Sequence, residues 1–152
     1  MGQKVHPTGF RLGVVKTWSS RWFATHSYAS LVREDVAIRK YINKKFSAAG
    51  ISKVEIERAA KNLKVNIYSN RPGIIIGKKG AEAESLKAQL IKLCKISSAE
   101  PTLNVYEVKK PDLDSQIVAD SIRQQLERRV SFRRAMKKAI ASAIKALSLI
   151  HI

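Results

Sequence analysis

The stretch RPGIIIGKKG, from Arg71 to Gly80, most constrains how this chain can fold. Two of its glycines, Gly77 and Gly80, flank two lysines, and this quartet directly follows three isoleucines. Glycine adopts backbone conformations that other residues avoid, and its missing Cβ lets a ligand reach main-chain N–H groups. The stretch therefore predicts a tight loop that holds a phosphate, either of a nucleotide or of a nucleic acid.

Two strands are predicted before this loop, and a helix and a third strand after it. Apolar and polar residues alternate from Val54 to Arg58 and from Leu63 to Tyr68, with Lys61-Asn62 between them as the hairpin turn. An apolar face recurs at helical spacing over residues 81–95. A run of β-forming residues follows from Thr102 to Val108.

Further helices are predicted on either side of these elements. Ile38, Ile42 and Phe46 step by four within residues 27–46, and Gly50 stands where a C-terminal cap is usual. Beyond Pro111-Asp112, two more apolar runs are separated by Ser131, a candidate N-terminal cap. We expect two helices or one kinked helix there, with these apolar residues: Ile122, Leu126, Val130, Met136, Ile140, Ile144 and Leu147.

This order of elements predicts the α+β class. A three-stranded sheet with helices on one face would bury every apolar stripe named above. Residues 27–110 would form the sheet domain with its N-terminal helix, and residues 111–152 the C-terminal helices.

Residues 1–26 are predicted to be a basic, irregular arm that orders only against a partner. Glycines and a proline interrupt any helix in this segment. Three of its large aromatic residues fit two roles equally well, stacking on nucleic-acid bases or packing in the core: Trp18, Trp22 and Phe23.

The charge of the chain predicts a polyanionic partner. There are 29 Lys and Arg against 12 Asp and Glu among 152 residues, a net charge of +17. Nucleic acid is favoured over a lipid surface because the excess is spread along the chain rather than concentrated on one helix. No window is apolar enough for a membrane span, so we expect no membrane partner.

The sequence does not predict an enzyme, a cofactor or a metal site. Its histidines lie in the arm or at the end of the chain, and no paired carboxylates or metal-ligand spacings occur. The single cysteine, Cys94, lies on the apolar side of a predicted helix and is expected to be a buried structural thiol. The sequence carries no clear targeting signal, so we expect an intracellular protein. Because no catalytic constellation occurs, we also expect no small-molecule substrate.

The nucleotide interpretation of the loop fails on spacing. A Walker loop needs four residues between its glycines and then Lys followed by Ser or Thr. Here three residues separate Gly73 from Gly77, and Lys78 is followed by Lys79. No G-x-G of a dinucleotide-binding fingerprint occurs either.

The quartet Gly77-Lys78-Lys79-Gly80 instead resembles the G-x-x-G loop of a KH domain, which clamps single-stranded RNA. The order of strands and helices around it is similar to the type II KH fold. The simpler alternative is a helix cap with solvent-facing lysines.

Three segments together resemble one family, small-subunit ribosomal protein number three of the bacterial type. They are MGQKVHPTGFRLGVVK, RPGIIIGKKG and LERRVSFRRAMKKAI, and the likeness runs over residues 1–147. The resemblance implies a place in the head of the small ribosomal subunit, on 16S-type ribosomal RNA, beside ribosomal proteins numbers ten and fourteen. It also implies a cytoplasmic ribosome, with an organellar ribosome as the open alternative.

The resemblance further implies that basic side chains line the channel by which mRNA enters the subunit. The matching positions are Arg133, Arg134 and Lys137, with Lys138 as a neighbouring candidate, and helical spacing puts all four on one face. Basic residues of the arm are further RNA-binding candidates: Lys4, His6, Arg11 and Lys16.

The resemblance is incomplete at the C-terminal end. Family members continue into a second α/β domain, whereas this sequence stops at Ile152 after the apolar ALSLIHI. We therefore expect a truncated second domain. A free-standing KH RNA-binding protein is the rival hypothesis, and it predicts tight binding to short single strands without a ribosome.

Overall fold

The computed structural model describes residues 2–59, 62–94 and 101–147, which contain a four-stranded sheet and six α-helices. The strands are β1 (Ser20–Arg21), β2 (Ile51–Ala59), β3 (Asn62–Ser69) and β4 (Thr102–Glu107). The helices are α1 (Pro7–Phe10), α2 (Tyr28–Lys45), α3 (Pro72–Ile76), α4 (Ala81–Cys94), α5 (Ser115–Glu127) and α6 (Phe132–Ala146). The predicted α+β class is confirmed.

The sheet runs in the order β1-β2-β3-β4. β2 and β3 form the predicted antiparallel hairpin, with Ile56 opposite Val65. β3 and β4 are parallel, so the chain must cross over between them, and α3 and α4 form that crossover. The phosphate-binding candidate loop therefore lies inside a crossover between two neighbouring strands.

The core lies between one face of the sheet and the helices α2, α3 and α4. The apolar positions predicted on α2 are buried, as are Leu86 and Leu90 of α4. Alternate residues of the strands meet them: Val54, Ile56, Leu63, Val65 and Ile67. Cys94 is also buried in this cluster, which confirms the structural thiol, and desolvation raises its pKa. Leu93, expected on the same face, is instead partly exposed at the edge of α4.

The fourth strand comes from the arm and was not predicted. Ser20 and Arg21 pair in parallel with Ile56 and Glu57 at the edge of β2. One turn of helix also forms at α1 despite the glycines, because Pro7 occupies the first helical position and the side chain of His6 caps it. The expectation that the arm orders only against a partner is therefore wrong for residues 19–22.

Two helices rather than one kinked helix form the C-terminal region. Asp114 caps α5, since its Oδ1 accepts hydrogen bonds from the backbone N–H groups of Gln116 and Ile117, both 3.1 Å. Ser131 stands at the N-cap of α6, but its side chain makes no capping hydrogen bond. The turn between the helices holds Arg129 in the left-handed region, with φ of 61°.

The expectation that every apolar stripe is buried is wrong for α5 and α6. Only Ile117 of α5 and Ala135 of α6 are buried, although both helices have the predicted spacing. In the described part of the chain the stripe of α6 is only partly covered, and its large apolar residues are 39% to 59% exposed. Its exposed large apolar residues are Phe132, Met136, Ile140, Ile144 and Leu147.

Parts of three expectations lie outside the described residues: Lys61 of the hairpin turn, Lys95 at the end of the second helix, and residues 148–152 of ALSLIHI. Asn62, predicted in the turn, is the first residue of β3 and pairs with Ala59. Within the described ranges, no helix has the length and apolarity needed to cross a membrane.

Candidate nucleic-acid interface

The backbone of the loop takes an unusual path that two glycines permit. α3 ends at Ile76, and Gly77 follows with φ of 72° and ψ of −177°. A short 3-10 turn then spans Lys78–Gly80, in which Lys79 and Gly80 have φ of 53° and 84°. Glycine adopts positive φ at little cost, whereas other residues avoid it, so the positions of the glycines match the path.

Gly77 is required for a second reason, which is the close approach of α4. A Cβ added to Gly77 would lie 2.7 Å from both Cβ and Cγ of Glu82. A Cβ at Gly80 would meet no atom within 4 Å. The loop is therefore folded tightly against the first turn of α4 at Gly77 and is open to solvent at Gly80.

The two lysines of the loop point to solvent. Both Lys78 and Lys79 are exposed, and neither forms an ion pair with any described residue. Immediately before them, Ile75 is buried while Ile74 and Ile76 are partly exposed, so an apolar surface lies beside the cationic tip. Exposed cations next to exposed apolar groups are suited to a phosphate backbone with bases beside it.

The first turn of α4 carries acidic side chains that sequence reasoning left out of account. Glu82 and Glu84 occupy that turn, where they stabilise the positive end of the helix. The Nζ of Lys45, at the end of α2, lies 3.0 Å from Oε2 of Glu82 and offsets one of these charges. The helix end therefore supplies less attraction for a phosphate than expected, which leaves Lys78 and Lys79 as the main attractive groups of the loop.

The four cations predicted on one helical face all lie on α6 and are all exposed. Arg133, Arg134, Lys137 and Lys138 make no ion pair with a described residue, and no Asp or Glu follows Glu127 in the sequence. The guanidinium of Arg133 lies 5.7 Å from the ring centre of Phe132.

The basic candidates of the arm divide into two groups. Lys4 and Lys16 are exposed with no side-chain partner in the described residues. His6 accepts a hydrogen bond at Nδ1 from the N–H of Gly9, 3.4 Å, and Arg11 donates from Nη1 to the carbonyl of Pro7, 2.9 Å. His6 and Arg11 therefore also hold the turn of α1 together.

A buried acid, Asp35 of α2, anchors the arm. Its Oδ2 accepts hydrogen bonds from the Ser20 hydroxyl, 2.7 Å, and from Trp22 Nε1, 2.8 Å. Its Oδ1 accepts two from Arg58 of β2, at Nε 3.2 Å and Nη2 2.8 Å. Arg39 adds a hydrogen bond from Nη2 to Ser20 Oγ, 2.6 Å.

This anchor was missed from the sequence, although a signal for it exists. Asp35 precedes Ile38 by three residues and Ile42 by seven, so it shares the buried face of α2. A charge there needs a partner, because an unpaired buried carboxylate is costly. Arg58 on the inner face of β2 is that partner, and the network stabilises Trp22 as part of the structure.

A glycine-rich turn between two helices inside a β–α–α–β crossover, with a cationic tip, defines a KH-type nucleic-acid-binding domain. The KH domain family matches residues 37–113 of the chain. Within the described residues, no cluster of His, Cys, Asp or Glu could hold a metal ion.

The comparison with curated relatives extends the likeness beyond this domain. Small ribosomal subunit protein uS3 of Geobacter metallireducens is 56% identical over 145 residues, which is 95% of this chain and 67% of the relative. The uS3 protein of Pelobacter propionicus is 55% identical over 145 residues, 95% of this chain and 68% of the relative. The chain therefore belongs to the small ribosomal subunit protein uS3 family, which confirms the resemblance. Proteins of this family are structural rather than enzymatic, as the sequence predicts.

Proposed function

We propose that this protein is a structural constituent of the small ribosomal subunit and binds 16S-type ribosomal RNA in the head of the subunit. Family membership supports the ribosomal role, and the loop supports the RNA contact. The observation that carries the proposal is the loop path at Gly77–Gly80, which presents Lys78 and Lys79 unpaired at the tip of a tight turn. Lysines at a loop tip contact phosphates rather than base edges, so sequence readout at this loop should be slight.

Binding to a folded head RNA fragment, measured over a salt series, tests this proposal. Lys78→Asp/Lys79→Asp should weaken binding and lower the salt slope by about 0.7–0.9 for each phosphate that the variant no longer neutralises. Lys109→Asp/Lys110→Asp is the matched control, because it makes the same charge change at an exposed lysine pair outside the loop. Equal weakening in both variants would mean that net charge alone accounts for the effect.

A short unstructured RNA in the same experiment distinguishes the rival function. The ribosomal function predicts strong preference for the folded head RNA. Equal affinity for the two RNAs would contradict it and would favour a free-standing KH protein.

The exposed face of α6 is proposed to line the channel by which mRNA enters the subunit. Four cations without nearby acids attract a phosphate backbone irrespective of its sequence. In assembled subunits, Arg134→Ala/Lys137→Ala should reduce crosslinking to mRNA while leaving incorporation of the protein unchanged. Lys109→Ala/Lys110→Ala, an exposed lysine pair outside α6, is the control. Unchanged crosslinking in the double variant would overturn this assignment.

Ribosomal proteins numbers ten and fourteen are the proposed protein neighbours, on the resemblance. Co-purification of each neighbour with this chain, in the presence and absence of head RNA, tests the assignment. Association with neither protein in assembled subunits would contradict it.

A further inference from the structure

A pocket of about 560 Å³ lies between the arm and the N-terminal half of α2. The arm forms one wall with Trp18 and Trp22, and α2 forms the other with Tyr28, Val32 and Val36. This volume falls in the range of roughly 300–1,000 Å³ that is usual for ligand pockets. The pocket exists because the Asp35 anchor holds the arm across the helix.

The walls of the pocket are aromatic, and two of their rings are largely exposed. Trp18 is 67% exposed and Tyr28 is 62% exposed, which is unusual for side chains of this size. Trp22 is held by its hydrogen bond to Asp35, and its ring centre lies 5.4 Å from that of Tyr28 at an angle of 52°. Trp22 therefore fixes one side of the neighbouring Tyr28 ring, and aromatic rings with only two side-chain torsions offer a stacking surface at low entropic cost.

The charge around the pocket favours an anionic ligand. Both oxygens of Asp35 are occupied by hydrogen bonds from the protein, so this carboxylate does not repel a phosphate as a free acid would. Arg39 lines the pocket and donates only from Nη2 within the described residues, which leaves its other N–H groups free to bind a ligand. Aromatic faces beside an arginine are the combination that binds single-stranded nucleic acid.

The pocket is far from the KH loop. The loop lies beside the C-terminal end of α2, where Lys45 pairs with Glu82, whereas Tyr28 begins the same helix. At about 1.5 Å per residue, the two ends of α2 are about 25 Å apart. One nucleotide cannot occupy both places, so a ligand in the pocket would use a second site.

We propose that this pocket binds one nucleobase of single-stranded RNA, stacked against Trp18 and Tyr28 with its phosphate near Arg39. The site goes beyond the loop contact and does not depend on it. It assigns the arm aromatics separate roles. Trp22 is structural, Trp18 is a ligand-stacking residue, and Phe23, which is 89% exposed, lies outside the pocket.

Tryptophan fluorescence tests the site directly, because both tryptophans of the chain line the pocket. Titration with a labelled ten-nucleotide oligoadenylate should quench this fluorescence saturably, while anisotropy of the label reports total binding. Trp18→Ala and Tyr28→Ala should each lower the affinity obtained from the quenching titration by about five-fold or more, the decrease expected for one stacked base. Phe23→Ala, which removes an exposed arm aromatic outside the pocket, should change this affinity by less than about two-fold.

The loop variant Lys78→Asp/Lys79→Asp separates the two proposals. Retained quenching in this variant supports an independent pocket, and quenching that disappears with the loop lysines overturns it. Binding seen by anisotropy without quenching would also overturn the pocket while leaving the loop contact standing. Equal weakening by Phe23→Ala would overturn it as well. A folded head RNA titrated in parallel identifies the source: the RNA that quenches at lower concentration is the better ligand, and quenching by neither overturns the proposal.

Discussion

The KH unit, formed by α2, β2, β3, α3, α4 and β4, and the α5–α6 pair have similar apolar patterns and opposite burial. On α2, Ile38 and Ile42 are spaced by four residues and are buried. On α6, Met136 and Ile140 have the same spacing and are exposed. The difference shows that helical periodicity identifies the residues that share a face but does not determine whether another element covers that face.

The charged groups of the two regions differ in the same way. Arg58 and Asp35 of the KH unit pair at 2.8 Å with 12% and 3% of their side chains exposed. Arg123 and Glu127 of α5 pair at 2.7 Å with 50% and 60% exposed. Distance alone therefore does not distinguish a structural ion pair from a solvated one, whereas burial does.

The largest expected effect comes from removing the buried acid. Asp35→Ala leaves Arg58 without its main partner and should lower the free energy of unfolding by about 3–5 kcal/mol, measured by urea denaturation. Glu127→Ala, at the exposed pair, should cost less than about 0.5 kcal/mol. Similar decreases in the two variants would contradict the contrast between the regions. Asp35→Ala should also make the arm more sensitive to proteolysis, since the arm is held there.

A matched pair of isoleucines tests the packing contrast. Ile67→Ala, in the middle of β3, should cost about 2–5 kcal/mol because it leaves a cavity in the core. Ile140→Ala, where the residue is 59% exposed, should change stability by less than about 0.5 kcal/mol. A large destabilisation at Ile140 would show that the stripe of α6 is covered in solution.

The loop glycines allow a finer comparison inside the KH unit. Gly77→Ala should cost about 2 kcal/mol or more, because positive φ and the contact with Glu82 both oppose a Cβ. Gly80→Ala should cost about 1–2 kcal/mol, from φ alone. Gly73→Ala, in α3 with open space around it, should be neutral or stabilising by up to about 1 kcal/mol. Thermal unfolding of the three variants checks this order, and equal shifts would contradict it.

The smallest expected effect concerns Cys94 and alkaline pH. Burial raises the pKa of this thiol in the folded state, so the unfolded chain loses its proton first as pH rises. The contribution of the protonated Cys94 thiol to stability is complete below the pKa of this thiol in the unfolded chain. It falls as pH increases toward the higher pKa of the thiol in the folded chain. Cys94→Ala should reduce the decline of stability between about pH 8 and pH 10, and an unchanged decline would contradict the assignment. At neutral pH, a thiol reagent should label native Cys94 slowly and the unfolded chain quickly.

Most of the KH unit could be predicted from local pattern. Alternation identified β2 and β3, spacing identified α2 and α4, and the glycines identified the loop, because each of these signals depends on neighbours in sequence. The strand β1 could not be predicted in this way. Two residues carry no period, and they become a strand only because the edge of β2 and the carboxylate of Asp35 are there to receive them.

The candidate site shows the same division. The sequence by itself determined which residues are cationic and which glycines permit a turn, since charge and the absence of a Cβ are properties of single residues. Only the tertiary structure decided that Glu82 and Lys45 meet beside the loop, and that Trp18 and Tyr28 line the same pocket. These juxtapositions join residues far apart in the chain, and long-range packing rather than local preference brings them together.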